Sequence, residues 1–357
     1  RRVLFRSLAY ELSPSVTLLE ESLCKWFAKK IGFNDSSGGI AASGGTLSNL
    51  NALIAARNNA GLGSNPNSVL LISEDAHSSF IKCIRIMGLD AANLIRIKTD
   101  NQGRMDINNL RKSLNKCLIE NKKIFAIVAT LGTTVRGAID PIKEISEICK
   151  ERNIWLHIDG SIGGIFALSS IQIEGLNNIN QANSITINPQ KIIGITKTSS
   201  LLLVANMNTL QKTFSTGLPY ISSKEDIVNR GEIGIQGSRP AEVIKLWLGL
   251  RFLGLNGIED ILKSSIKRKD FFIDHIVKNK FEIYSGPLHI VSFIPKGLTA
   301  KDTDFWTHSK VNELMKNNYM LSRPKFKGKY YLRVVMGNYN TTDSHIEELL
   351  RFLDAYQ

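Results

Sequence analysis

The stretch Leu156-His157-Ile158-Asp159-Gly160-Ser161 and the later Asn188-Pro189-Gln190-Lys191 each close a short apolar run, 155–159 in the first case and 184–188 in the second. Runs this short and apolar nearly throughout are the pattern of strands covered on both faces. Asp159 and Asn188 therefore fall at strand ends, and the acid and the lysine are 191 − 159 = 32 residues apart. Working outward, similar runs occur at 68–73, 93–97, 124–130 and 201–205, and helical periodicity at 17–31, 46–60, 108–121 and 141–151. This alternation predicts an α/β fold with a mostly parallel sheet, in which ligands sit at the carboxyl ends of the strands.

Residues 217–240 break the pattern with four glycines and two prolines and predict a long functional or mobile loop. Beyond it, helices are expected at 242–254 and 257–280, strands at 281–285, 289–293 and 331–335, and helices near 303–316 and 342–356. The expected organisation is an N-terminal remnant (1–12), a large domain (13–255) and a smaller C-terminal α+β domain (256–357).

With 357 residues, 43% of them hydrophobic, the chain can bury a large core. Its net charge of +13 comes from 45 Lys+Arg against 32 Asp+Glu, spread along the sequence. The densest run, Lys263 to Lys269, has helical spacing and is expected to be a solvated face. A basic balance of this kind speaks to solubility and non-specific attraction, so no nucleic-acid partner is expected. The four cysteines form no CxxC pair and have no metal-ligand spacing, which predicts buried thiols, no metal, and a reducing, cytoplasmic compartment. No apolar run approaches the roughly 18 residues of a membrane span. The first residues, Arg1-Arg2-Val3-Leu4-Phe5-Arg6, have neither an initiator Met nor a signal-peptide core, so an N-terminally truncated chain is expected.

Five polar positions fall at strand ends or helix starts. Ser43-Gly44-Gly45-Thr46-Leu47-Ser48-Asn49 opens a helix, where free N–H groups attract a phosphate; it is neither GxGxxG nor a P-loop. His77 follows the 68–73 run, and Thr130-Leu131-Gly132-Thr133-Thr134 ends the 124–130 run. Asp159 and Lys191 complete the group. Each has an ordinary reading as well: a glycine-rich N-cap, a loop histidine, turn hydroxyls, strand-end charges reaching solvent. Taken together on one rim, they match what pyridoxal phosphate needs. A lysine carries the cofactor, and an acid keeps its ring nitrogen protonated.

Over nearly its whole length the chain resembles the group II pyridoxal-phosphate decarboxylases, which include aromatic-amino-acid, glutamate, histidine and diaminobutyrate decarboxylases. The matching segments are Ser13-Pro14 with 18–27, 43–58, 75–79, 129–134, 140–164, 188–191, 245–254 and 332–342. The resemblance implies the fold type I architecture of pyridoxal-phosphate enzymes, a homodimer, and decarboxylation of an L-amino acid to its amine. It makes Lys191 the Schiff-base lysine, Asp159 the partner of the ring nitrogen and His77 the residue stacked on the ring. Thr134 would sit beside the cofactor. Gly45, Thr46 and Asn188 would hold the phosphate, Ser161 and Gln190 would also contact the cofactor, and Arg333 would meet the substrate carboxylate.

Three departures accompany it. Gln190 replaces the family's usual histidine; its amide can donate to a phosphate but cannot titrate. Gly160-Ser161 replaces two alanines. The loop tyrosine that protonates Cα is absent between Ile221 and Arg239, leaving Tyr220 as the nearest substitute. A related lyase or deaminating enzyme, or a non-catalytic cofactor-binding protein, are the alternatives these departures raise.

Overall fold

The computed structural model describes residues 6–7, 10, 13–197, 199–217 and 228–354. Tyr220, most of the expected N-terminal remnant and part of the 217–240 loop lie outside the described residues.

Seven strands form the main sheet, in the order Gly38–Ala42, Ser200–Val204, Ser184–Ile187, Trp155–Gly160, Lys123–Thr130, Ser68–Ser73, Leu94–Ile97. Only Ser200–Val204 runs against its neighbours; the other pairs are parallel. Ser68–Ser73, Trp155–Gly160, Ser184–Ile187 and Ser200–Val204 are buried at every position, as continuous apolar runs require. Each fully buried aliphatic or aromatic side chain contributes about 1.5–3 kcal/mol, and the core clusters around this sheet contain dozens of them.

Helices cover the sheet. Pro14–Lys30 begins with proline in its first turn, where the missing N–H costs nothing. Ile107–Ile119 is capped by Asp106, whose carboxylate accepts from Asn109 N–H at 2.7 Å. Gly45–Asn59 is buried over most of its circumference. The helix Val243–His275 breaks at Gly254 (φ +62°), where the sequence separates two helical patterns.

A second core surrounds the antiparallel sheet of Phe281–Ser285, Ile290–Pro295 and Leu332–Val335. It packs Phe272, Phe293, Trp306, Leu332 and Leu353, with the helices Ala300–Lys316 and Asp343–Asp354 alongside.

The strand Gly38–Ala42 and the helix Ser79–Ile86 are additions to the sequence reading. The first reads Gly-Gly-Ile-Ala-Ala, a composition that suggests a turn, yet it is paired along its length and buried at every position but the half-buried Ala41. The basic run also needs correction. Lys263 and Lys267 are exposed, but Arg268 and Lys269 are buried. Arg268 donates to the Met336 carbonyl through Nη2 at 3.0 Å, and Lys269 pairs with Asp270 at 2.7 Å, so half of this face is turned into the protein. All four cysteines are free and buried. No helix among the described residues is long and apolar enough to cross a membrane.

Candidate active site

Parallel strands deliver their carboxyl ends to one side of a sheet, and here four of them do so beside the start of a helix. Ser68–Ser73 leads to His77, Lys123–Thr130 to Thr134, Trp155–Gly160 to Ser161, and Ser184–Ile187 to Asn188, Gln190 and Lys191. Gly45–Asn59 supplies Gly45 and Thr46. These residues and Asp159 line one cavity of about 200 Å³, so all nine positions expected to contact a cofactor meet there. Arg333 is not in its wall. Its Nη1 donates to the Thr134 carbonyl at 2.6 Å and its Nε to Ser322 Oγ at 2.8 Å, and its charge is felt at Lys191.

Asp159 is 5% exposed. Its Oδ1 accepts from the Ser161 N–H at 3.1 Å and its Oδ2 from Asn49 Nδ2 at 3.2 Å. His77 Nδ1 accepts from the Ser79 N–H at 3.1 Å, so the neutral ring carries its proton on Nε2. Burial pushes the His77 pKa down, Lys191 and Lys82 add to this, and Asp159 opposes it.

Lys191 faces this cavity and a wider apolar one of about 1200 Å³ that runs along Leu248, Phe252 and Leu253. Its surface is accessible to solvent through these openings, although protein surrounds the ammonium group closely. Desolvation lowers its pKa and Arg333 acts in the same direction, against the pull of Asp159.

One end of the cavity is a cradle of donors. Asn188 Oδ1 accepts from Ser200 Oγ at 2.5 Å, and Gln190 Oε1 accepts from the Ser199 N–H at 2.8 Å. Each amide thereby keeps its NH2 group for something else. The helix starts at Gly44 without a side-chain cap, so its first N–H groups remain available to an anion. A Cβ on Gly45 would stand 2.7 Å from Ser161 Oγ and 2.8 Å from Asn188 Nδ2. Thr130 Oγ1, buried in the wall, has no partner among the described residues. Donors around an uncapped helix start, a lysine, and a carboxylate held by two N–H groups fit a phosphorylated cofactor with a ring nitrogen and an aldehyde.

Sequence reasoning passed over Asn49, Ser79 and Ile162, which also line the cavity. Asn49 had a local signal. It stands four residues after Gly45 and three after Thr46, which puts it on the same helix face.

A parallel α/β sheet with these groups on its carboxyl rim is the architecture of the fold type I pyridoxal-phosphate enzymes. The sequence profile of the pyridoxal-dependent decarboxylase conserved domain matches residues 5–294. The chain is 31% identical over 347 residues to an aromatic-L-amino-acid decarboxylase of Bacillus atrophaeus, an alignment covering 94% of this chain and 72% of the other. It is 28% identical over 373 residues to the acidic amino acid decarboxylase GADL1 of Mus musculus, covering 97% and 68%. The crystal structure of mouse CSAD in apo form superposes with a TM-score of 0.90 at 25% identity, covering 97% of this chain and 77% of that one. This chain belongs to the pyridoxal-dependent decarboxylase family. Its cofactor is pyridoxal phosphate and it is a carboxy-lyase acting on an amino acid.

The cradle makes a prediction. Gly45→Ala is expected to displace the Ser161 and Asn188 donors and weaken cofactor binding about ten- to a hundredfold. Losing one hydrogen bond to a charged group costs about 1.5–3 kcal/mol. Titrating the apoprotein with pyridoxal phosphate by fluorescence tests this, and an unchanged Kd would remove Gly45 from the phosphate site.

Proposed function

We propose that Lys191 Nζ holds the cofactor covalently and that Asp159 accepts the hydrogen bond from its ring nitrogen. His77 lies against the ring and Thr134 beside it, while Gly45, Thr46, Ser161, Asn188 and Gln190 hold the phosphate. Arg333 attracts the substrate carboxylate. The observation that carries this reading is the convergence of these side chains from four strand ends and one helix start on a single cavity.

When bound, the cofactor supplies an electron sink for the pair left behind as CO2 departs. The chain's own groups do the rest. Asp159 keeps a proton on the ring nitrogen by its fixed negative charge. Lys191 Nζ, shifted toward the neutral amine, is the nucleophile that takes up the cofactor and later releases the product. His77 presents a neutral face to the ring, with its Nε2–H free of the backbone.

The substrate is proposed to be an L-amino acid and the products its amine and CO2. Incubating the protein and pyridoxal phosphate with a panel of amino acids, with mass spectrometry of the products, tests this. Amines are expected; aldehydes alone would overturn it in favour of the deaminating branch. The relatives at 28–31% identity that support the amine-forming reading are both named decarboxylases.

We further propose a homodimer, with 13–255 and 256–357 as its two domains. Trp247, Leu248, Phe252 and Leu255 are exposed on the helix that walls the wider cavity, and Phe252 is 89% exposed. Exposed apolar side chains grouped on one helix call for cover, and a second copy seated there would lie over the mouth beside Lys191. Phe252→Asp is expected to convert a dimer to a monomer in analytical ultracentrifugation; a monomeric parent protein would exclude the arrangement. The four free buried thiols fit a reducing compartment, and the cytoplasm is the proposed location.

A further inference from the structure

Behind Asp159 the cavity wall continues into the core as a single hydrogen-bonded file. Asn49 is 1% exposed, and His157, Ser184 and Thr186 are fully buried. Trp155 Nε1 donates to Ser184 Oγ at 2.8 Å, which lies 2.8 Å from His157 Nδ1. His157 Nε2 lies 3.1 Å from Asn49 Oδ1, and the same oxygen accepts from Thr186 Oγ1 at 2.7 Å. Asn49 Nδ2 then reaches Asp159 Oδ2 at 3.2 Å.

We propose that Asn49 and His157 are positioning residues that lock the Asp159 carboxylate in place through a file whose hydrogen-bond direction is set from the carboxylate end. An indole N–H can only donate, and an ionised carboxylate can only accept. Asp159 takes the Asn49 NH2, so Asn49 Oδ1 faces the ring and the neutral imidazole carries its proton on Nε2 and gives it to that oxygen. Ser184, which accepts from Trp155, then has its own hydrogen available for His157 Nδ1. Asn49 cannot turn over. Reversed, its oxygen would face the carboxylate and its NH2 would face two donors.

Burial holds the His157 pKa down to about 4, against the charge of Asp159 and a hydrogen bond with the Ser184 backbone, so the ring stays neutral; its contact with Asn49 Oδ1 is what selects the tautomer. Oδ2 of Asp159 is thereby held by Asn49 while Oδ1 is held by the Ser161 N–H, and the plane of the carboxylate is set. A partly satisfied file would be expensive in a dry core, whereas this one is satisfied throughout. The inference rests on Asp159 being the acceptor for the cofactor's ring nitrogen.

Two measurements test it. In the apoprotein, NMR of 15N-labelled histidine is expected to report His157 as the Nε2–H tautomer, without titration through the neutral range. An Nδ1–H tautomer or a titrating ring would overturn the proposal, and this needs no variant to fold. In the holoprotein, Asn49→Leu and His157→Leu are expected to weaken pyridoxal phosphate binding about 10–100-fold, by analogy with the loss of groups that orient metal ligands. They should also shift the pH midpoint of the cofactor's visible band, and His157→Gln, which keeps a nitrogen donor, should restore most of both. Leucine variants with the wild-type Kd and midpoint would overturn the proposal. The role of Asp159 is tested separately. If Asp159→Asn also leaves Kd and midpoint unchanged, that assignment fails, whatever the His157 tautomer.

Discussion

Lys191→Ala is expected to replace the visible absorbance band of the lysine-bound cofactor with that of the free aldehyde and to lower kcat by a factor on the order of 10³ or more. Proton transfer by a positioned side chain is by itself worth roughly 10²–10⁴, and this lysine is also assigned the covalent step. The cradle does not depend on it. Gly45, Ser161, Asn188 and Gln190 are held by the helix start and by Ser199 and Ser200, so the variant should still bind the cofactor, non-covalently and more weakly. Lys191 is open to solvent, so its truncation should leave the melting temperature nearly unchanged. Visible spectra with cofactor titration, steady-state rates and a thermal melt on the same preparation check these points. An unchanged band, or a kcat within tenfold of the parent, would defeat the assignment.

Asp159→Asn carries the second large effect. Removing one preorganised electrostatic group typically costs on the order of 10²–10³ in kcat, and that is the expected loss here. The substitution also costs stability. The carboxylate accepts two N–H groups, Ser161 and Asn49, and an amide can satisfy only one of them, leaving its NH2 against the other. An unsatisfied buried donor costs about 1–3 kcal/mol, which denaturant titration of the apoprotein would register. The pH dependence has a definite sign. Asp159 raises the pKa of both His77 and Lys191, so its neutralisation lowers both, and the acidic limb of the rate profile should move to lower pH. A limb that moves upward, or a kcat near that of the parent, would contradict the role proposed for Asp159.

The sheet was legible because its strands are apolar almost without interruption, and a charge at the end of such a strand has few structural excuses. That logic reaches Asp159, Asn188 and Lys191 directly, and placing them on one rim leads to the proposed cofactor site. It does not reach Gly38–Ala42, whose glycines hide a paired strand, or Asn49, whose partners Asp159, His157 and Thr186 come from distant strands. Arg268 and Lys269 were misread for the same reason: local spacing cannot say which face of a long helix meets a second core.

The departures from the family pattern acquire physical content in three dimensions. Gly160 has no room for a side chain, because a Cβ would stand 2.8 Å from the Thr186 carbonyl. Gln190 is oriented by the backbone of Ser199, an arrangement that leaves its NH2 group for an anion although the residue cannot titrate.

The single reversed strand has a consequence for the order of events as the chain folds. Ser184–Ile187 and Ser200–Val204 are neighbours both in sequence and in the sheet, joined by the short segment that carries Lys191. The parallel pairs must wait for crossover helices to close longer loops, whereas this antiparallel pair closes locally and at smaller entropic cost. The lysine's tether is therefore expected to be among the earliest native contacts, leaving the partner carboxylate to arrive as the slower parallel strands assemble beside it.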